Sequence, residues 1–445
     1  MRVQRTVSSP AQSWYRDDKI LFVFRLVPTI AAGGTAYLAA MVVLAVTKAR
    51  LGTVTFFLCA GIAVVAFAVV LALIWRSPEY HRRTFLIAVL LAIGFRIPLA
   101  VSPVNSDNDM MRYLWDGRVQ KLGLNPYAVR PADPSLEFTH TDDTRNMPSA
   151  RARTPYPPGA QVFFRFVVTI RDSPRTMKLA LVACDLLTML VLWRLLLVTG
   201  RSQWLTLAYA WNPLVVFEVA HSGHIDALGA LWTVAAAFWL VRRRTALATI
   251  AFVLAVATKL LPIVLVPLLW RRITLRDAFI GTGLFVLLYL PFASGTDVLF
   301  GVQNVVQHIR FNGPVFRFFT WIASADVAAR VAVGLGLLAA AWCRWRLPID
   351  SGAAWAWPMG IAIACAPVVY PWYLLYLTPF LLLPPTLPLI VWCCSVLMTY
   401  VVWERALQGG RWVVPAGVMV AEYGLVLLSI AALVWWLRRP TPHAT

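Results

Sequence analysis

Residues 105–127 read NSDNDMMRYLWDGRVQKLGLNPY and form the first long polar stretch after a series of apolar segments. Their spacing predicts a helix over about 108–122, because Met111, Trp115 and Val119 recur at i, i+4 and i+8. The polar side chains at 109, 112, 116 and 120 fall on the opposite face, and Gly123 suits a helix stop. We expect this helix to lie in a membrane interface, with its apolar face toward lipid and its polar face toward water.

The composition of the chain is that of a polytopic membrane protein. Its 445 residues are 60% hydrophobic and only 13% charged, with a mean hydropathy of +0.70, whereas a soluble protein is about half apolar and a quarter charged. The net charge of +20 comes mostly from short loops between apolar runs, which indicates topology signals beside anionic membrane lipids rather than a nucleic-acid partner. The six cysteines lie in or beside apolar runs with no metal-site spacing, so the sequence predicts neither a metal nor another cofactor.

Apolar segments predict an all-α fold, a single membrane domain over residues 1–445 with about 11 to 14 transmembrane helices. The candidate spans are roughly 25–47, 54–75, 84–104, 177–198, 204–220, 226–241, 245–258, 259–270, 277–293, 325–343, 353–369, 371–384, 386–403 and 415–437. The pair on either side of Lys259 is short enough for a broken or re-entrant hairpin.

The short loops predict the orientation in the cell membrane. If the spans alternate, the basic loops at 76–83, 199–203, 241–245, 270–277 and 343–350 lie on the side of both termini, and the positive-inside rule makes that side cytoplasmic. The extracytoplasmic side then receives a long loop at 105–176, a second loop at 294–324, and the segments 221–226, 369–373 and 403–415. Every polar cluster that is a candidate for catalysis or binding falls on this side.

The first cluster follows the span that ends near residue 104. Asp107 and Asp109 are candidates for a general base, since partial desolvation raises the pKa of a carboxyl group. A structural alternative is that the residues at 107 and 108 cap the next helix. The side chains of Arg112, Tyr113, Trp115 and Asp116 are candidates to bind a phosphate or sugar, whereas the alternative for Arg112 is ion pairing along a surface helix.

A second cluster lies in NPLVVFEVAHSGHID, residues 212–226. Glu218, His221, His224 and Asp226 are candidates to bind sugar hydroxyls of an acceptor, and Tyr156 of the first outer loop is assigned to the same role. The motif H-x-x-H-x-D has zinc-ligand residue types but lacks a third strong ligand at helical spacing. A polar turn that satisfies its own backbone is the structural alternative.

Further candidates are spread over the second half of the chain. Lys259 either meets an anionic headgroup or extends to the interface. Donor phosphate contacts are assigned to Lys259 and to a set in the second outer loop, namely His308, Arg310, Asn312 and Arg317. Tyr370, Trp372 and Tyr373 are assigned to stacking on a sugar, with an interfacial aromatic belt as the alternative. Arg96 and Asp185 lie within spans, and we expect them to form a structural pair.

The string D-x-x-R-Y-L-W-D-G-R-V-x-x-x-G-x-N-P-Y at 109–127 resembles the first outer loop of bacterial GT-C superfamily glycosyltransferases. The resemblance is greatest to glycosyltransferase family 87 and to polyprenol-phosphate-mannose-dependent α-mannosyltransferases. Supporting motifs follow in the same order over roughly residues 100–380: Y-P-P-x-A-Q at 156–161, W-N-P…E-V-A-x-S-G-H-x-D-A-L at 211–228, K-L-L-P at 259–262, R-F-N-G at 310–313 and P-W-Y-L at 371–374.

This resemblance implies a GT-C helix bundle and an inverting transfer of one sugar, mannose by family analogy. The implied partners are a polyprenyl-phosphate-sugar donor, a lipid-linked glycan acceptor and the surrounding membrane lipids. An acid of the first outer loop acts as the base in that family, which maps onto Asp109 first and Asp107 second. The family pattern often has two adjacent acids, whereas Asn108 separates them here, so the assignment between the two stays open.

Two other function classes fit part of the pattern. A lipid-linked sugar flippase or a proton-coupled transporter is also polytopic, but it is expected to carry an inverted repeat and ionisable residues at mid-bilayer depth. The sequence shows no clear repeat, and its acids crowd one surface, which favours an enzyme. A zinc enzyme at His221 and His224 is the third class, and metal analysis distinguishes it.

Overall fold

The computed structural model describes residues 10–76, 81–104, 109–293 and 300–438, and the side chains from residue 26 onward within these ranges. Every regular element in them is helical. The first half contains α1 Pro10–Thr47, α2 Val54–Arg76, α3 Arg82–Val101, α4 Met110–Lys121, α5 Pro158–Ile170, α6 Pro174–Val198, α7 Thr206–Ala210, α8 Pro213–Val215, α9 Asp226–Val241 and α10 Thr245–Thr258. The second half contains α11 Val266–Leu269, α12 Leu275–Tyr289, α13 Phe300–His308, α14 Pro314–Phe319, α15 Ala325–Arg346, α16 Gly352–Ala364, α17 Leu387–Ser395, α18 Val401–Leu407 and α19 Ala416–Arg438.

Eight helical segments of the described chain are long and apolar enough to cross a membrane: Leu26–Thr47, Val54–Arg76, Arg82–Val101, Pro174–Val198, Leu275–Phe292, Ala325–Arg346, Pro384–Leu407 and Ala416–Arg438. The predicted all-α membrane bundle is therefore confirmed. The predicted count of 11 to 14 also included shorter apolar segments, and the structure forms α9, α10 and α16 from them.

The outer surface of the bundle is apolar where lipid is expected. On α19, for example, most of the helix is exposed, and its large exposed side chains include Val420, Leu427, Leu428 and Trp436. A soluble monomer rarely exposes a continuous apolar surface of this extent. This last candidate span therefore lies at the periphery of the bundle, and its exposed apolar face suits contact with lipid.

Helices α3 and α6 are joined by a buried ion pair between Arg96 and Asp185. Both side chains are almost completely buried. Tyr209 donates a 2.7 Å hydrogen bond to Asp185, and Arg96 donates to the carbonyl of Ala210 at 3.0 Å. Because a charge inside a membrane bundle is costly without a partner, these bonds make the pair a structural link. The predicted Arg96–Asp185 pair is confirmed.

Helix α4 is buried on both faces, so the expectation that its polar face meets water is wrong. Arg112 pairs with Asp116 at 2.7 Å, and both side chains are at most 4% exposed. Gln161 of α5 donates to Asp116 at 2.8 Å and accepts from Gln120 at 2.8 Å. Gln161 of α5 thus supplies partners for Asp116 and Gln120, which is why this face can pack inside the protein.

The close approach of α4 to α5 depends on Gly117. A Cβ at this position would lie 2.7 Å from the carbonyl oxygen of Phe164 and 2.8 Å from Val168. Backbone cannot move aside as a flexible side chain can, so any larger residue must separate the two helices.

We expect Gly117→Ala to lower stability by about 1–3 kcal/mol, the usual cost of overpacking. The measurement is the temperature at which half of the detergent-purified protein has lost its monodisperse peak in size-exclusion chromatography. Gly334→Ala is the matched control, because no atom lies within 4 Å of the added Cβ on α15. Equal midpoints for the two variants would contradict the packing argument.

Candidate active site

The polar residues of the first and second clusters converge at one end of the bundle. Asp226 begins α9, and Lys259 follows the last residue of α10 in an extended conformation. The Lys259 ammonium lies 2.7 Å from both carboxylate oxygens of Asp226 and 4.4 Å from the ring centre of Tyr373. Lys259 thus does not extend freely to the interface, whereas its predicted role toward an anionic headgroup stays a prediction. A buried carboxylate and an aromatic ring hold it instead.

Asp109 lies at the N-cap position of α4, but its side chain makes no capping bond. Its backbone carbonyl accepts the first helical hydrogen bond, from Arg112 at 2.9 Å. The carboxylate instead accepts a hydrogen bond of 3.4 Å from the hydroxyl of Tyr156. The side chain is therefore available for chemistry, because it does not cap the start of α4.

The pKa of Asp109 is raised. Burial of the carboxyl group is the main cause, and the charges of Lys259 and Arg112 and the hydrogen bond from Tyr156 offset it in part. Burial also raises the pKa of Tyr156 well above its ordinary value, so its hydroxyl stays protonated and remains a donor. A carboxyl group with a raised pKa is better suited to accept a proton from a neutral hydroxyl. Asp107, the second candidate base, lies outside the described residues.

Aromatic side chains fix Asp109 against the turn that carries Asp226. Tyr113 stacks on Phe164 at 4.6 Å and meets Tyr156 edge-on at 5.1 Å. The hydroxyl of Tyr113 accepts a 3.4 Å hydrogen bond from the backbone N–H of Ile225, next to Asp226. One tyrosine of α4 thereby connects the two acid-bearing segments.

Gly223 permits this turn to approach α4. Its φ is +71°, in the region that favours glycine, and a Cβ would lie 2.0 Å from the terminal methyl of Met110. The approach brings His221, His224 and Asp226 to the start of α4. Gly223, the glycine of the motif S-G-H-x-D, is therefore required by its positive φ and by its closeness to Met110.

Glu218 and His224 form a second group beside the ion pair. Glu218 lies in a π-helix, Val216–His221, and accepts a hydrogen bond from Tyr400. The Nε2 atom of His224 lies 3.4 Å from Glu218, and its ring stacks on Trp372 at 4.0 Å. Single π-helical turns are frequent at functional sites.

The two histidines are held in their neutral form. Burial lowers the pKa of His221 to about 4, with a further contribution from the charge of Lys178. Burial and the charge of Lys259 lower the pKa of His224 well below its ordinary range. His224 therefore meets Glu218 as a neutral ring. Within the described ranges, no three His, Cys, Asp or Glu side chains are grouped so that they could hold a metal ion.

Trp372 lies within a stack of rings. His224 stacks on it at 4.0 Å with an interplanar angle of 10°, and Tyr370 stacks on it at 4.4 Å and 14°. The indole is 7% exposed. It packs between two side chains instead of lying in an interfacial belt, whereas Tyr373 faces Lys259.

The other residues assigned to the donor have different surroundings. Arg112 is held by Asp116 and by the carbonyl of Ala152 at 2.9 Å, and its Nη2 atom has no hydrogen-bond partner in the described chain. Trp115 is fully buried and donates to Thr139 at 2.8 Å. These contacts anchor α4 to the loop that follows it.

Among the described residues, the candidates of the second outer loop make their contacts away from Asp109. Arg310 lies two residues after α13, donates to carbonyls at the end of that helix and just beyond it, and lies 4.9 Å above Phe316. Asn312 is buried and donates to both oxygens of Glu422, at 3.0 and 2.9 Å. His308 and Arg317 are exposed.

Sequence reasoning missed three buried polar residues. Lys178 on α6 donates to the carbonyls of Leu99 and Ser102 at 2.8 and 3.0 Å, and so holds the end of α3. Glu422 holds Asn312, and Tyr400 binds Glu218. The signal for Lys178 and Glu422 was an ionisable residue within an apolar run. No local pattern marks Tyr400.

Comparison with known families identifies the chain. The MptA_B family model, described as alpha-(1->6)-mannopyranosyltransferase, N-terminal domain, matches residues 25–273, more than half of the sequence. The chain belongs to this family. It is a membrane mannosyltransferase, as the resemblance of its motifs predicted. No curated protein and no solved structure matches the chain.

The matched part of this mannosyltransferase includes Asp109, Tyr156, Asp226 and Lys259. The aromatic residues at 370–373 and the partner of Glu218, Tyr400, lie beyond it. The site is therefore assembled from the family's N-terminal part and from helices that follow.

We expect Lys259→Met to reduce folded protein severely, because removing one member of a buried ion pair costs about 3–5 kcal/mol. The double variant Lys259→Met/Asp226→Asn removes both charges and is expected to recover folded protein. The measurement is the monodisperse yield of each purified variant. A single variant with the yield of the unsubstituted protein would contradict a structural role for the pair.

Proposed function

We propose that this protein transfers mannose from a polyprenyl-phosphate-mannose donor to a hydroxyl group of a lipid-linked glycan. The observation that carries the proposal is the position of Asp109. Its carboxylate makes no helix cap, has a raised pKa, and lies beside Tyr156 within the field of Lys259. A proton acceptor and a cation next to each other are the two groups that displacement of a sugar phosphate needs.

In the proposed reaction, Asp109 takes the proton of the acceptor hydroxyl as its oxygen attacks the anomeric carbon. The new bond joins this oxygen to the anomeric carbon, and the bond from that carbon to the phosphate oxygen breaks. The electron pair leaves with the polyprenyl phosphate. Attack from the opposite side inverts the anomeric configuration.

The family description supports an α-(1→6) linkage in the product. An α-(1→6) linkage formed with inversion requires a β-linked mannosyl phosphate as donor and the 6-hydroxyl of a hexose as acceptor. This hydroxyl is primary and hence less crowded than the ring hydroxyls. We assign Glu218, His224 and Asp226 to the glycan side of the site, as their place beside Asp109 supports.

The leaving phosphate needs positive charge, and Lys259 is the cation best placed to supply it. Its side chain is 20% exposed although Asp226 is fully buried, so part of the Lys259 side chain remains accessible. A cation already fixed by Asp226 and Tyr373 loses little freedom when a phosphate arrives. Arg310, Arg317 and His308 stay proposed contacts of the donor headgroup at the surface.

We also propose that the site faces the extracytoplasmic side of the cell membrane, with both termini in the cytoplasm. Contacts between loops support the two groups expected from the charge pattern. Arg201 pairs with Asp350 at 2.9 Å and so joins two basic loops. Phe311 and Val369, from two loops of the opposite group, share a 2.8 Å backbone hydrogen bond.

We expect Asp109→Asn to lower kcat by about 10²–10⁴-fold, the usual contribution of a positioned base. The assay measures radiolabelled mannose transferred from synthetic polyprenyl-phosphate mannose to a membrane glycolipid. Asp107→Asn, tested in parallel, decides between the two carboxylates. Activity retained in both folded variants would refute the proposed base, and flipping of the donor without transfer would identify a flippase.

We expect the pH dependence of the reaction to follow the ionisation of the Asp109 carboxyl group. Because the base must be deprotonated, the rate falls at low pH, with a midpoint above the ordinary aspartate pKa of 3.8. Tyr156→Phe removes a hydrogen bond that lowers the pKa of Asp109, so the midpoint moves to higher pH. The measurement is kcat/KM against pH. Tyr289→Phe, on α12, is the control, and a midpoint shifted equally in both variants would count against the assignment.

A further inference from the structure

A cavity of about 100 Å³ opens beside the candidate active site at the same end of the bundle. Its walls come from the segment after α1, the end of α3, the turn after the π-helix and α18. The polar and aromatic groups that line it are Lys48, Arg50, Ser102, His221, Ser222 and Trp403.

The cavity is basic. Lys48 and Arg50 are exposed, and neither forms an ion pair with any described residue. No Asp or Glu lines the cavity. The neighbouring Glu404 of α18 accepts a 3.1 Å hydrogen bond from Gln408. A third cation, Lys178, is buried behind the wall and donates to the carbonyl of Ser102 at 3.0 Å.

The size and chemistry of the cavity suit a phosphate. A lysine provides a point charge, an arginine provides a planar fork of donors, and both bind phosphate oxygens strongly. Leu44, Leu51 and Leu407 line the same cavity. Apolar side chains beside unpaired cations fit a phosphate attached to a lipid better than a free anion.

The cavity is connected to the site by two elements. His221 and Ser222 precede His224 and Asp226 in one turn. Trp403 lies 6.2 Å from Trp372, the ring that stacks on His224. A lipid phosphate in the cavity would therefore lie near the turn that carries His224 and Asp226.

We propose that this cavity binds the phosphate of a lipid that takes part in the transfer. The inference rests on the proposed function, which supplies two sources: the polyprenyl phosphate of the donor and a phosphate in the lipid anchor of the acceptor. Both present the same group to Lys48 and Arg50.

The test is equilibrium binding, which needs no catalytic activity. Radiolabelled polyprenyl phosphate and a radiolabelled anionic glycerophospholipid are titrated separately onto the purified full-length protein in uncharged detergent. The proteins compared are the unsubstituted chain, Lys48→Ala/Arg50→Ala, Lys48→Arg, and Lys121→Ala as a matched control. Lys121 is an exposed lysine in the last turn of α4, outside the cavity.

We expect the double variant to weaken one probe by about tenfold or more, as for loss of charge-assisted hydrogen bonds. Lys48→Arg and Lys121→Ala should bind like the unsubstituted protein. Selective loss of polyprenyl phosphate assigns the cavity to the donor, and selective loss of the phospholipid assigns it to the acceptor anchor. Equal affinities of all four proteins for both probes would overturn the proposal.

Asp109→Asn separates this inference from the proposed function. If Asp109 is the base, this variant loses transfer but binds both probes normally. If transfer proceeds by another route, the binding of both probes by the Lys48 and Arg50 variants still tests the cavity independently.

Discussion

The ion pair between Asp226 and Lys259 is the interaction on which the candidate active site depends. An ammonium or a carboxylate alone at this depth would carry a large desolvation penalty. Together, with Tyr373 against the ammonium, they form a fixed charged centre. The pair lies where α9 begins and α10 ends.

The remaining polar groups are arranged around this pair. Gly223 lets the preceding turn approach α4, and Tyr113 accepts a hydrogen bond from that turn. Asp109 consequently lies close enough for Lys259 to act on its carboxyl group. Burial and a neighbouring cation have opposite effects on the pKa of Asp109. A base held between these effects can be ionised yet retain affinity for a proton.

The aromatic residues serve mainly to build the wall of the site. His224, Trp372 and Tyr370 form one continuous stack, and Trp403 meets its edge. Trp403 also lines the basic cavity at Lys48, so this wall joins the candidate active site to the cavity.

The sequence by itself determined the membrane bundle, the mannosyltransferase family and the Arg96–Asp185 pair, because apolar run length, motif order and isolated charges are local signals. The environment of α4 was decided only by tertiary structure. Amphipathic spacing predicts a polar face, but it does not show whether that face meets water or a partner helix. Here Gln161 of α5 provides the hydrogen bond that water would otherwise make. Likewise, the contact of Lys259 with Asp226 and that of Tyr400 with Glu218 join residues far apart in the chain. Spacing along one helix carries no information about such contacts.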